Sequence, residues 1–167
     1  PSEFIPIAES TGVIHRIDEW VMRTVCAQLQ VWDRTGVPPI RVAVNVSARW
    51  FGHTGFIESV NRALQSTGVA PHRVLLEITE GAMLRLGEDT ERKMQALERT
   101  GVAVAIDDFG TGYSSMAYLK LPAVTYLKID RSFISSLPDN TNDAAITTAM
   151  LAMAKSLGLI PIAEGIE

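Results

Sequence analysis

Seven side chains able to hold cations or move protons recur at one kind of position: Asn45, Glu77, Asp107, Asp108, Lys128, Asp130 and Glu164. Each lies at the end of a short apolar run, in RVAVN, VLLE, VAVAIDD, YLKID and IPIAE. Apolar runs of that length bounded by turn residues read as buried strands. The polar groups thus fall at the carboxyl ends of five strands, where parallel α/β folds bind ligands. A lone carboxylate there usually caps a helix. Five strand ends in succession point instead to a shared site.

The adjacent Asp107 and Asp108 set the chemistry. Two carboxylates about 4 Å apart repel by roughly 4 kcal/mol at an effective dielectric near 20. Glu77 and Glu164 add to this if they converge, and one Lys128 cannot balance four carboxylates. Hard divalent cations can, since Mg²⁺ and Mn²⁺ favour carboxylate and amide oxygens, and Asn45 supplies the amide. His15, His53 and His72 lie away from the strand ends, which argues against zinc. Two cations about 3.5–4 Å apart suit in-line attack on a phosphodiester.

The elements that must position these groups alternate. VIHRIDEWVMRTVCAQLQVW has helical apolar spacing at Ile14, Ile17, Trp20, Val21, Val25, Leu29 and Trp32. IRVAVNVS reads as a strand, GFIESVNRALQSTG as a helix and RVLLEIT as a strand. EDTERKMQALERTG is a helix, VAVAID a strand, Ser114 to Lys120 a short helical stretch and TYLKID a strand. DNTNDAAITTAMLAMAKSLG is a helix capped by Asn140 or Asn142, and LIPIAEGIE is the last strand. The spacing is 32 residues from Asn45 to Glu77 and 30 from Glu77 to Asp107. Units of about 30 residues are those of an eight-unit barrel of about 250 residues. A doubly wound phospho-acceptor receiver is the rival on spacing, although it places its acidic pair after the first strand.

Composition narrows the classes. With 47% hydrophobic and 20% charged residues, the 167-residue chain has the balance of a globular domain. The net charge of −4 and the lack of a Lys/Arg run argue against a nucleic-acid polymer as partner. No apolar run reaches the roughly 18 residues of a membrane span. The single Cys26 fits a reducing compartment, hence a cytoplasmic domain, with which a membrane anchor elsewhere in a parent protein is compatible. The start PSEFIPIAES lacks an initiator Met, so the chain reads as a piece of a longer protein.

FIPIAESTGVIHRIDEWV, VNVSARWF, LEITE, IDDFGTGYSSMAYLKLPAVTYLKIDRSFI and IAEGIE, in this order, resemble the successive motifs of the EAL family. These are bacterial phosphodiesterases specific for cyclic di-GMP. The resemblance covers essentially the whole chain. It implies a TIM-like (β/α)8 barrel, incomplete here, with about five βα units and the first and closing strands outside residues 1–167. The name-giving Glu-Ala-Leu segment, which carries a metal ligand, is expected before Pro1.

The resemblance also implies roles. Asn45, Glu77 and Asp107 would hold one Mg²⁺ or Mn²⁺, with Asp107 bridging to a second held by Asp108 and Glu164. Lys128 would touch the attacking water and the scissile phosphate, and Glu164 is the proposed base. Asp130 would contact the ligand or the groups around it, and Glu80 would anchor the loop Phe109–Ser115, which in the family links dimerisation to catalysis. Glu167 matches an acidic position of less settled role. Arg49 is a candidate phosphate partner. The implied function is hydrolysis of cyclic di-GMP to linear pGpG, in a homodimer attached to sensor or GGDEF-type domains. The alternative is a non-catalytic cyclic di-GMP receptor or a dimerisation domain, and residues 1–167 alone are expected to be nearly inactive. Trp20 and Trp32 are expected in the core or shell, Trp50 in packing, Met150 and Met153 in the core, and ERKMQALER on a solvated face.

Overall fold

A computed structural model describes residues 3–84, 88–112 and 116–166. Helices α1 (Ile5–Thr11) and α2 (Ile14–Thr35) lead into β1 (Val42–Val46). Then come α3 (Ala48–Gly52), α4 (Phe56–Thr67), β2 (Val74–Thr79), α5 (Glu80–Leu84), α6 (Glu88–Thr100) and β3 (Ala103–Phe109). A 3-10 turn at Met116–Lys120 precedes β4 (Val124–Ile129), α7 (Arg131–Ile134), α8 (Thr141–Ser156) and β5 (Ile160–Ala163). Helices α2, α4 and α6 follow the apolar spacing, while α8 buries only Thr147 and Ala154 and is capped by Asn140, whose side chain accepts from the backbone of Asn142 and Asp143. The four short helices α1, α3, α5 and α7 went unread, because seven residues or fewer show no periodicity. The last strand is shorter than LIPIAEGIE and ends at Ala163.

All five strands are parallel, in the order β1-β2-β3-β4-β5. A doubly wound sheet reverses its strand order at a switch point. Strictly sequential order is that of a barrel wall, so the receiver alternative falls and the fold is an incomplete TIM-like α/β arc. Side chains alternate across each strand. One face carries Val44, Val46, Leu76, Ile78, Val104, Ile106 and Leu127, all buried in a common core with Met22, Leu29, Phe56, Met94 and Leu97 from the helices. The inner face carries Asn45, Glu77, Asp107 and Lys128. At the edges it is open, with Ala43 and Asn45 exposed on β1 and Ile160 49% exposed on β5.

Several expectations need correction. Trp20 is 60% exposed rather than core, because α2 turns Ile14, Met22, Cys26 and Leu29 inward instead. ERKMQALER is not a solvated face throughout: Lys93, Met94 and Leu97 are buried. Met150 and Met153 are half-buried against the core. Trp32 packs against the core, and Trp50 is fully buried, as expected of packing residues.

Candidate active site

Register brings the strand-end groups together. Asn45 pairs with Glu77 across β1 and β2, and Thr79 with Asp107 across β2 and β3. Lys128 lies at the carboxyl end of β4, paired with Ile162. Glu164 follows β5 by one residue, and its N–H donates to the Ile129 carbonyl at 3.2 Å. The Lys128 ammonium stands among three carboxylates: Glu164 Oε1 at 2.6 Å, Asp107 Oδ1 at 2.8 Å and Glu77 Oε2 at 3.0 Å. Burial works to pull the Lys128 proton off. Hydrogen bonds to Asp107, Glu164 and Glu77 outweigh it and hold the group well above its usual range.

Asp108 raises a stereochemical question, since alternation would point adjacent residues to opposite faces. The backbone answers it. Asp108 has φ +53°, and the β3–β4 ladder slips register between Ile106 and Phe109. Asp tolerates the left-handed region better than most residues, and a bulge re-aims a side chain. As a result one carboxylate oxygen from each of Asp107, Asp108 and Glu164 lies within 4.8 Å of the others. Burial first, then the charges of Asp107, Asp130 and Glu164, push the Asp108 carboxyl above its ordinary value, with Lys128 offsetting part of the rise.

This donor set fits a hard cation. It is made of carboxylate and amide oxygens, the cluster has more negative groups than Lys128 neutralises, and the ammonium already occupies the place where positive charge is wanted.

The remaining expected residues are placed less uniformly. Asp130 caps α7: its Oδ1 accepts from the Ser132 N–H at 2.9 Å and the Ser132 hydroxyl at 2.5 Å, which lowers its pKa. Glu80 is buried, and its Oε2 accepts the Gly110 N–H at 3.3 Å, tying the start of the loop after β3 to α5. Its Oε1 has no hydrogen-bond partner among the described residues. Arg49 is exposed on α3, its guanidinium beside Gly12. Tyr113–Ser115 of the expected loop, and Glu167, lie outside the described residues.

Two buried charges near the site were not foreseen as such: Asp18 went unread, and Lys93 was expected on the solvated face of ERKMQALER. The signal was present: each falls on the core-facing row of its helix, Asp18 between Ile14 and Met22, and Lys93 between Thr90 and Leu97.

The sequence and the fold are similar to those of known proteins. Residues 1–167 match the EAL domain profile. The chain is 42% identical over 167 residues to the bifunctional diguanylate cyclase/cyclic di-GMP phosphodiesterase MucR of Pseudomonas aeruginosa, covering all of this chain and 24% of that protein. It is 41% identical to the cyclic di-GMP phosphodiesterase NbdA of the same organism, covering 21% of it. The chain therefore spans a quarter or less of these relatives. Over its full length it superposes on the MucR phosphodiesterase in complex with c-di-GMP, with a TM-score of 0.94, covering 68% of that chain. The EAL domain of Mycobacterium smegmatis DcpA, 43% identical, superposes with a TM-score of 0.82 over 89% of this chain and 67% of that one. With the whole sequence matched and the whole fold superposed, the chain belongs to the EAL domain family.

Proposed function

We propose that this chain carries the catalytic face of a cyclic di-GMP phosphodiesterase that opens the cyclic dinucleotide to linear pGpG. The observation that carries the reading is the convergence of Glu77, Asp107 and Glu164 on Lys128, with Asp108 turned into the same cluster. The names of MucR and NbdA, and the c-di-GMP in the MucR complex, support the substrate.

Asn45, Glu77 and Asp107 would hold one Mg²⁺ or Mn²⁺, and Asp107, Asp108 and Glu164 a second. Bound there, the cations would lower the pKa of water and neutralise phosphate charge. The chain's own groups do the rest. Glu164 accepts the proton of the attacking water through the carboxylate oxygen that Lys128 does not hold. The water oxygen forms a bond to phosphorus, the P–O3′ bond breaks, and the O3′ oxygen leaves and takes a proton from solvent water as the free hydroxyl, while Glu164 returns its own proton to solvent. Lys128 donates to the phosphoryl oxygens as charge builds on them, a contribution of the oxyanion-hole kind. Its three N–H groups are held by Glu77, Asp107 and Glu164, so one of these bonds gives way as the bond to the phosphoryl oxygen forms, and the other two keep the ammonium in place. Arg49 meets a phosphate, and Asp130 meets the ligand through the oxygen not used in capping. Glu80 anchors the loop after β3.

The reading extends to a homodimer joined to sensor or GGDEF-type domains in the cytoplasm. The attachment to further domains is supported by the length of the relatives and by the diguanylate cyclase activity in the name of MucR. No helix among the described residues is long and apolar enough to cross a membrane.

The test is product analysis in ¹⁸O-water. Cyclic di-GMP incubated with the protein and Mn²⁺ should give pGpG with one ¹⁸O on its 5′-phosphate, and a chelator should stop the reaction. Binding of cyclic di-GMP without any linear product would favour the receptor alternative.

A further inference from the structure

Two buried charges take no part in that chemistry. Asp18 is 7% exposed and Lys93 6% exposed. Such groups are almost never this buried unless paired, and apolar residues of similar volume often serve stability as well or better. Both reach the same short element, from opposite ends. Asp18 Oδ2 accepts the Ser47 N–H at 3.2 Å, just before α3. Lys93 Nζ donates to the Phe51 carbonyl at 2.6 Å, near the end of α3. Asp89 Oδ2, at 2.7 Å, and the Phe51 ring, 5.5 Å from Nζ to its centroid, complete the surroundings of Lys93.

Between these ends the segment is capped and packed. The Ser47 hydroxyl caps α3 by accepting the Trp50 N–H at 3.1 Å. Trp50 and Phe51 are fully buried, and each packs edge-on to Phe56. A negative charge at the N–H end and a positive charge at the carbonyl end match the polarity of a helix and satisfy groups it leaves unpaired. The segment so held carries two functional candidates. Asn45 lies two residues upstream of Ser47, beside Glu77 on the inner face. Arg49 projects from the middle of α3 into solvent.

We infer that Asp18 and Lys93 are positioning residues. Through Ser47 and Phe51 they fix the angle at which Asn45 and Arg49 meet the cyclic dinucleotide and its cation. The inference rests on the phosphodiesterase reading for its kinetic consequence, while the clamp itself does not.

The variants are Lys93→Met, Asp18→Ala and Asp18→Asn, made in the protein with its natural flanking sequence. Three readouts apply: Tm without ligand, amide hydrogen exchange over residues 47–52, and kcat and KM for cyclic di-GMP. Lys93→Met fills the volume but leaves the Phe51 carbonyl without its donor, so it should lower Tm by several degrees and still fold. Exchange over residues 47–52 should quicken roughly tenfold as the segment loosens. KM should rise about tenfold, with a smaller change in kcat. Asp18→Ala should do the same, whereas Asp18→Asn keeps an acceptor for Ser47 and should stay near wild type in KM. Unchanged exchange and KM in Lys93→Met would overturn the inference. So would a rise in KM that is equal in Asp18→Asn and Asp18→Ala. A wild type that hydrolyses nothing would defeat the phosphodiesterase reading instead, and the exchange data would still decide the clamp.

Discussion

Lys128 keeps its proton because three carboxylates surround it, and those carboxylates tolerate one another because of Lys128. Removing it should therefore do two things. Lys128→Met should lower kcat by about a hundredfold or more, as loss of a preorganised donor does. It should also destabilise the cation-free protein by about 3 kcal/mol, the scale for breaking a buried ion pair. Mn²⁺ should restore most of that stability, and thermal unfolding with and without Mn²⁺ measures it. A loss of Tm that Mn²⁺ does not repair would count against a cation site. Within the acidic pair, Asp107 contacts Lys128 and Asp108 does not. If Asp107 bridges two cations, Asp107→Asn should weaken Mn²⁺ binding more than Asp108→Asn does, and isothermal titration would show equal losses if it does not. Asp18 carries a pH prediction. Burial outweighs its hydrogen bonds from Ser47 and raises its carboxyl above the ordinary value of 3.8. The native state then binds this proton more tightly than the unfolded chain does. The associated stability is full below the ordinary value and is lost as pH rises through the native one. Asp18→Asn should therefore raise Tm over wild type at pH 7, with the gap closing as pH falls towards 3.8. A gap independent of pH would contradict this.

At the scale of elements, the loop after β3 depends on Gly110. Its φ is +98°, and a Cβ built there would lie 2.5 Å from Met150 Cε and 2.9 Å from Phe133 Cε2. Gly110→Ala combines left-handed strain with overpacking, each costing about 1–3 kcal/mol. It should displace the loop that Glu80 holds, lowering both Tm and kcat. Wild-type activity in that variant would detach the loop from catalysis. The elements differ in how far the sequence reveals them. Helices α2, α4 and α6 were legible because burial of one face imposes a period of 3.6 on their side chains, and the strands because buried parallel strands are continuous apolar runs between turn residues. The strand-end positions of Asn45, Glu77, Asp107 and Lys128 followed directly. The turning of Asp108 into the cluster did not, since it depends on a register slip between β3 and β4 that no local pattern encodes. The Asp130 cap was missed because four residues of α7 leave no periodic trace. Asp18 went unread and Lys93 was expected to be solvated because a polar residue on an apolar row shows nothing of the partner that pairs it.

At the scale of the molecule, the described strands form an arc with β1 and β5 at its edges. Unpaired edges and an inner face open to solvent invite association. Residues 1–167 produced alone should run above monomer mass in light scattering, and Ile160→Lys, at a 49% exposed position on β5, should shift them towards monomer. A monodisperse monomer would contradict that expectation. The arc also explains how one face gathers the site: it delivers all five strand ends to one side, where the proposed catalysis would need cations to join them. The most direct test is the rate of pGpG formation from cyclic di-GMP as Mg²⁺ or Mn²⁺ is titrated into the protein with its natural flanking sequence. No product should form without the cation, turnover should rise with a second-order dependence and then saturate, and Asp107→Asn should abolish it. Turnover that survives chelation, or that persists in Asp107→Asn, would contradict the account.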